Sequence, residues 1–110
     1  MPALVPGNVV NVTTAGTPVQ LIGSATRCMT IFVQAKHGNT GRIVIGNSAV
    51  RADLSAGGFV AILGAPTSAT ATPPSVTISH TNKPYVFDVS ELYIDATVNG
   101  DGVIWSVIAP

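Results

Sequence analysis

Charge is what this sequence has least of. Five acidic and five basic side chains among 110 residues make 9%, where an ordinary globular chain carries roughly 25%. The formal net charge is zero. No basic cluster is present that could neutralise several phosphates, which argues against nucleic acid as a partner. Disorder is excluded as well, because 46% of the residues are hydrophobic, enough for a packed core. A surface this poor in charge dissolves badly unless much of it is covered. Two readings fit: an assembly subunit with charge-depleted interfaces, or a β domain coated in Ser, Thr and Asn.

Cysteine is nearly absent too. Cys28 is the single one, so no internal disulfide can form and a disulfide-built secreted domain is not indicated. It stands beside Met29 and Ile31 at the start of an apolar run, which predicts a buried, inert thiol rather than a nucleophile.

Long apolar runs and leader features are also missing. Met1-Pro2-Ala3-Leu4-Val5-Pro6-Gly7 has neither the basic start nor the continuous apolar core of a signal peptide. The uncharged stretch 54–82 is broken by Pro66, Pro73, Pro74 and many Ser and Thr, and its apolar part, 59–63, is strand-sized. That excludes a membrane-spanning helix there, and no membrane partner is expected.

No window repeats apolar residues at i, i+3, i+4 and i+7, the spacing of an amphipathic helix. What is present is period-two alternation. Strands are expected at 9–14, 18–22, 28–35, 42–46, 59–63, 76–80 and 85–89, with two more at the end of the chain. In the third, Met29, Ile31, Val33 and Ala35 fall on one face, with Thr30, Phe32, Gln34 and Lys36 on the other. The segment 47–58 is irregular, with Val50 and Leu54 as expected anchors, and 64–75 reads as a long loop. Eight or nine short strands without a helix predict an all-β fold, an antiparallel, jelly-roll-like β-sandwich. Length sets one domain. Residues 1–7, with Pro2 and Pro6, read as an extended N-terminal arm ahead of a single domain at 8–110.

The last two strands flank Asn99-Gly100-Asp101-Gly102, a tight-turn sequence, and read as a hairpin. Pairing outward from the turn sets Val98 against Val103, Ala96 against Trp105, Ile94 against Val107 and Leu92 against Ala109, all apolar. The other face would carry Asp95, Thr97, Tyr93, Ile104, Ser106 and Ile108, which is more apolar than a solvated surface requires.

Residues for catalysis do not converge. Acid–base chemistry needs two positioned carboxyls with separated pKa values. Asp53, Asp88, Glu91, Asp95 and Asp101 read instead as turn formers or solvated charges. His37 and His80 lack companions at metal spacing, and Asn99-Gly100-Asp101-Gly102 is not followed by the ligands of a calcium loop. There is no Gly-x-Ser-x-Gly elbow and no helix for a phosphate loop to precede. An enzyme is not expected, and no cofactor or metal.

Three segments carry a resemblance. The chain opens with Val12-Thr13-Thr14-Ala15-Gly16-Thr17-Pro18-Val19-Gln20-Leu21. A strand then runs into Asn39-Thr40-Gly41-Arg42-Ile43-Val44-Ile45-Gly46. It closes with Leu92-Tyr93-Ile94-Asp95-Ala96-Thr97-Val98-Asn99-Gly100-Asp101-Gly102-Val103. In order and spacing these resemble small β-rich structural proteins of tailed bacteriophages, notably head decoration or cement proteins. The resemblance implies a jelly-roll-like domain on the outer capsid surface of the virion, made in the host cytoplasm. Such proteins clamp neighbouring major capsid protein subunits and work as homodimers or homotrimers. It supplies no catalytic residues. The stretch 65–75 is longer than this type leads one to expect.

Two other readings stand beside it. One is a carbohydrate-binding jelly-roll module, with Tyr93 and Tyr85 as the available platforms once Trp105 is assigned to the core. The other is a tail or baseplate structural subunit. For self-association or shell binding the expected contacts are Tyr93, Ile104 and Ile108 from the hairpin's outer face and Leu4 and Val5 from the arm. A dimer is expected first and a trimer second. The alternative is that a second sheet of the same domain covers that face and the arm folds back on its own subunit.

Overall fold

Alternation decides the layers. In β4 (Thr30–Ala35), Ile31, Val33 and Ala35 are buried while Phe32 and Gln34 are exposed. In β10 (Gly102–Ala109), Val103, Trp105 and Val107 are buried while Ile104 is exposed. The two strands pair antiparallel with Trp105 opposite Val33, so their apolar sides form one continuous inner face. The computed structural model describes residues 3–23, 26–55, 57–65, 72–79 and 87–109, with 3–7 and 87 described by their backbone alone. The expected strand at 85–89 lies partly outside these residues, as do His80 and Tyr85.

β1 (Ala3–Asn11) and β7 (Ser75–Ser79) flank this pair, giving a four-stranded sheet in the order β1-β10-β4-β7. A second four-stranded sheet runs β2 (Val19–Gln20), β9 (Tyr93–Ala96), β5 (Ile43–Gly46), β6 (Phe59–Leu63). A small pair, β3 (Arg27–Cys28) with β8 (Phe87–Asp88), leads into a 3-10 turn at Val89–Glu91. Every pairing is antiparallel. Among the described residues there is no α-helix. Between the sheets, Ile31, Val33, Val103, Trp105 and Val107 from one layer meet Ile43, Ile45, Ile94 and Ala96 from the other in a single apolar cluster. Burial of that surface drives the association of the layers.

With the β3–β8 pair set aside, the remaining eight strands counted from the N-terminus lie 1-8-3-6 in one sheet and 2-7-4-5 in the other. This is the strand order of a jelly roll, two interlocked Greek keys. First strand pairs with last, and each sheet draws on both halves of the chain.

That topology corrects the terminal hairpin. β9 pairs with β2 and β5, whereas β10 pairs with β1 and β4. Asn99-Gly100-Asp101-Gly102 does turn the chain, with Gly100 at φ +89°, but it arches from one sheet to the other. Ile94, Ala96, Trp105 and Val107 are all in the core as expected, now from opposite layers. Side-chain parity is the same for strands lying side by side and for strands facing one another, so the pattern alone could not separate them. Gly102 shows what displaced the hairpin partner. A side chain there would collide with the carbonyl oxygen of Val10 and with Asn11, so β1 comes too close for anything larger than glycine.

Two further segments differ from expectation. The described part of the 1–7 arm is the start of β1, an edge strand whose Leu4 and Val5 pair in register with Ile108 and Val107. Pro6 and Gly7 stand where the register steps to Asn8 opposite Trp105. Two residues against one is a bulge, and a bulge on an edge strand tolerates a proline that donates no hydrogen bond. Leu54 is not an anchor: it is 39% exposed and holds a left-handed φ of 63° in the turn that follows Arg51. Val50 is fully buried.

Trp105 is the largest side chain in the core, and its Nε1 finds no acceptor among the described residues. Trp105→Ala should lower stability by about 3–5 kcal/mol, the usual cost of truncating a buried aromatic. Trp105→Phe should cost much less, because it removes an unpaired buried N–H along with part of the ring. Thermal melts of the two variants check this, and equal losses would contradict it.

Candidate functional site

The acidic groups are the first place to look for chemistry, and four of the five accept hydrogen bonds from backbone N–H groups. Asp95 in β9 stands opposite Val44 and is buried. Its Oδ1 accepts from Gly16 N–H at 2.9 Å and its Oδ2 from Ala52 N–H at 2.7 Å. One carboxylate therefore fixes two loops to the second sheet. A hollow of about 270 Å³ opens beside it, lined in part by Gly16, Arg51, Asp53 and Thr97. Both of its oxygens are already accepting from the backbone there.

Parity placed Asp95 on an outer face, and it does sit on the outer side of its sheet. The structure corrects its exposure. Loop 47–58 folds over that side, bringing Val50 and Ala52 onto Val44 in a second small apolar cluster against which Tyr93 packs. Arg42 holds the same loop, donating from Nε to the carbonyl of Ala52 at 2.7 Å.

Asp101 does the same at the arch. Its carboxylate accepts from Gly41 N–H at 2.8 Å and, at 3.2 Å to each oxygen, from Thr40 N–H. Asn39 is buried beside it and acts as a substitute strand. Its Oδ1 accepts from Gly102 N–H at 3.0 Å while its Nδ2 donates to the Gly102 carbonyl at 2.7 Å. Asp88 caps the 3-10 turn: its Oδ1 accepts from the N–H groups of Thr26 and Ser90 and from the Ser90 hydroxyl. Asp53 accepts from Ser55 N–H at 2.8 Å. These bonds satisfy donors that the sheets leave over; Asp53 and Asp95 both line the hollow, and each is already engaged as an acceptor of backbone N–H groups.

No group of three or more His, Cys, Asp or Glu able to hold a metal occurs among the described residues. His37 is exposed. Cys28 is buried, and burial, reinforced by the negative charge of Asp88, pushes its thiol up to about 11. At neutral pH it is therefore a protonated thiol, a poor nucleophile.

The outer side of the first sheet is different in kind. Reading across β1, β10, β4 and β7, one row is Val9, Ile104, Gln34, Ser75. The next is Ser106, Phe32, Thr77, and beyond it Ile108, Thr30, Ser79. None of these ten residues is charged. Val9, Phe32 and Ile104 are exposed large hydrophobics, with Ile104 at 42%. The nearest charge in register is Lys36, past the end of β4, and it donates to Asn11 Oδ1. A shallow hollow of about 240 Å³ lies in this face, with Phe32 flanked by Gln34, Ser75, Thr77 and Ser106.

Of the residues expected at an interface, Ile104 and Ile108 stand on this face, and the backbone of Leu4 is beside Ile108. Val5 is in register with Val107. Tyr93 does not join them. It belongs to the other sheet, under loop 47–58, because the hairpin that would have united them is an arch. Phe32 and Val9 were not picked out from the sequence. The signal for Phe32 was legible, since it is the one large apolar residue on the polar side of the 28–35 alternation. Comparison with known protein families, curated proteins and solved structures finds no match to this chain.

Asp95→Ala should destabilise the fold by about 1–3 kcal/mol for each backbone N–H left without its acceptor. Hydrogen exchange at Gly16 and Ala52 should accelerate, and an unchanged melt with unchanged exchange would contradict the assigned role. Asp88 supplies a pH test. Hydrogen bonds from Thr26 N–H, then from the Ser90 hydroxyl and N–H, hold its carboxyl below the usual range. Unfolded, it titrates near about 3.9. Its contribution is thus present above that value and lost as pH falls through the lower folded value. The wild type should melt above Asp88→Asn at pH 7, and the two should converge in acid, as scanning calorimetry across pH will show.

Proposed function

We propose that this chain is a structural protein without catalytic chemistry, a head decoration or cement protein of a tailed bacteriophage that seats on the outer shell and stabilises contacts between major capsid protein subunits. The observation that supports this most is the outer face of the β1-β10-β4-β7 sheet, ten residues without a charge and with Val9, Phe32 and Ile104 exposed. Charge depletion with a few large apolar side chains is the composition of an interface core. A shell offers the same contact at many equivalent positions, so moderate affinity per copy is enough when copies act together. The jelly-roll strand order is that expected from the resemblance, and the phage assignment rests on that resemblance.

The test is co-sedimentation with purified shells of the phage that encodes the protein. Wild type should pellet with the shells. Ile104→Asp and Phe32→Asp should stay in the supernatant while keeping a melt within about 1 kcal/mol of wild type, because both positions are on a solvated surface. Failure of the wild type to bind shells would sink the proposal. Electron microscopy of the virion separates a head position from a tail or baseplate one.

The hollow at Phe32 favours one second reading. An aromatic face ringed by hydroxyls and an amide is a platform on which a sugar ring can stack. In a carbohydrate-binding module, Phe32→Ala would abolish glycan binding and Ile104→Asp would weaken it less. A glycan array without hits removes this reading.

A further inference from the structure

A two-layer jelly roll has four strand edges, and an edge exposes a row of backbone donors and acceptors that invites another strand. Three of the four edges here are blunted. β1 carries Pro6 and a bulge. β7 follows Pro73-Pro74, and its outward residues Ser75, Thr77 and Ser79 are polar. β2 is two residues long and follows Pro18. The fourth edge is β6, Phe59-Val60-Ala61-Ile62-Leu63, with β5 as its one neighbour in the sheet among the described residues. It contains no proline, no charge and no polar side chain, and Phe59, Val60 and Ile62 are 42%, 65% and 45% exposed. Its only irregularity is a step in register between Phe59 and Ala61, which sets Val60 out as a bulge and leaves 61–63 a regular ladder.

We infer that β6 is the self-association edge of this protein, pairing antiparallel with β6 of a second copy about a two-fold axis. The occupant of an open edge must be an extended strand, because only a strand presents donors and acceptors at the matching spacing. Three features favour a second copy over a strand from another protein. The edge carries no charge, so a two-fold brings no like charges together and offers none for a foreign partner to read. Pairing about Ala61 sets Val60 against the partner subunit's Ile62, and the reverse contact repeats across the axis, so the exposed apolar side chains cover each other. A two-fold also closes both edges at once, whereas a head-to-tail contact leaves one open to further growth.

The contact is small. Five residues a side fall short of the roughly 20–30 residues a side of a standard stable interface. The dimer is therefore weak and concentration-dependent, unless a surface that binds both copies adds its own avidity. This inference does not depend on the shell-binding reading, because it uses a different edge of the molecule.

The experiment is sedimentation equilibrium of the purified chain from about 10 µM to about 1 mM, the range in which a weak pair dissociates. The mass should rise from one chain toward two, and amide exchange across 59–63 should slow as it does. Val60→Lys places a charge on a largely exposed position and should stay monomeric throughout with an unchanged melt. Ile62→Lys serves as the second variant should the first fold poorly. Ile104→Asp should dimerise as wild type does. A wild type that stays monomeric at the highest concentration overturns the inference, as does a dimer that survives both lysine variants. A dimer lost in Ile104→Asp but kept in Val60→Lys would move the self-contact to the sheet face and overturn it equally.

Discussion

The constraint on which this structure depends is that backbone N–H groups outside the sheets still need acceptors. The two four-stranded sheets satisfy their own ladders, but the loops that wrap them do not. The chain meets this with side-chain oxygens rather than with helices. Asp95 takes Gly16 and Ala52, Asp101 takes Thr40 and Gly41, Asp88 takes Thr26 and Ser90, and Asn39 takes Gly102. A carboxylate suits this work because it accepts at two oxygens, and its negative charge strengthens each bond. Asp53 bonds to Ser55 N–H as well, and two of the five acidic side chains, Asp95 and Asp101, are buried.

That arrangement also explains what the sequence hid. Asp95 lies between Ile94 and Ala96 in a strand, and its parity places it away from the core, which is correct. Its burial depends on loop 47–58 crossing the sheet, and a contact between residues 52 and 95 leaves no mark in local pattern. Asp101 was legible as a turn residue, because Gly neighbours on both sides announce a turn. Its partners Thr40 and Gly41 come from 60 residues away, through the same long-range closure that makes the fold.

The terminal hairpin failed for a related reason. Turn chemistry and alternating apolar residues specify where the chain reverses and which side faces inward. They do not specify whether the returning strand lies beside its predecessor or across the core from it. That choice is made by competition for the ladder of β10, and here β1 and β4 take both sides of it. Gly102 is the sequence trace of that outcome, being the point at which the first strand passes closest. The all-β class, the core identity of Trp105, Ile94 and Val107, and the two faces of 30–35 were legible because each rests on period-two pattern alone; at the start of that stretch the strand breaks at Met29, and Cys28 rather than Met29 enters the core. Tyr93 was grouped with Ile104 only through the hairpin, so one wrong adjacency separated a residue under a loop from a residue on an open face.

Once the arch replaces the hairpin, the surface resolves into regions of distinct physical character. The side of the second sheet is closed by loop 47–58, held by Asp95 and Arg42 and sealed by Val44, Val50, Ala52 and Tyr93. The side of the first sheet has no such cover among the described residues, and its ten outward residues include no charge to keep a partner away. The strands of the first sheet run from five to nine residues and those of the second from two to five. Among the described residues the difference comes from loop 47–58, which folds back over one side and is fastened by the carboxylate beneath it. Charge therefore acts here mainly by position: buried beneath one face it fastens a cover, and missing from the other it leaves an uncharged face of mixed apolar and hydroxyl side chains with Lys36 at one border. An uncharged sheet face whose strands are already ordered by their ladders loses little conformational freedom when another surface is laid against it, and that is the setting in which modest apolar contacts yield useful affinity.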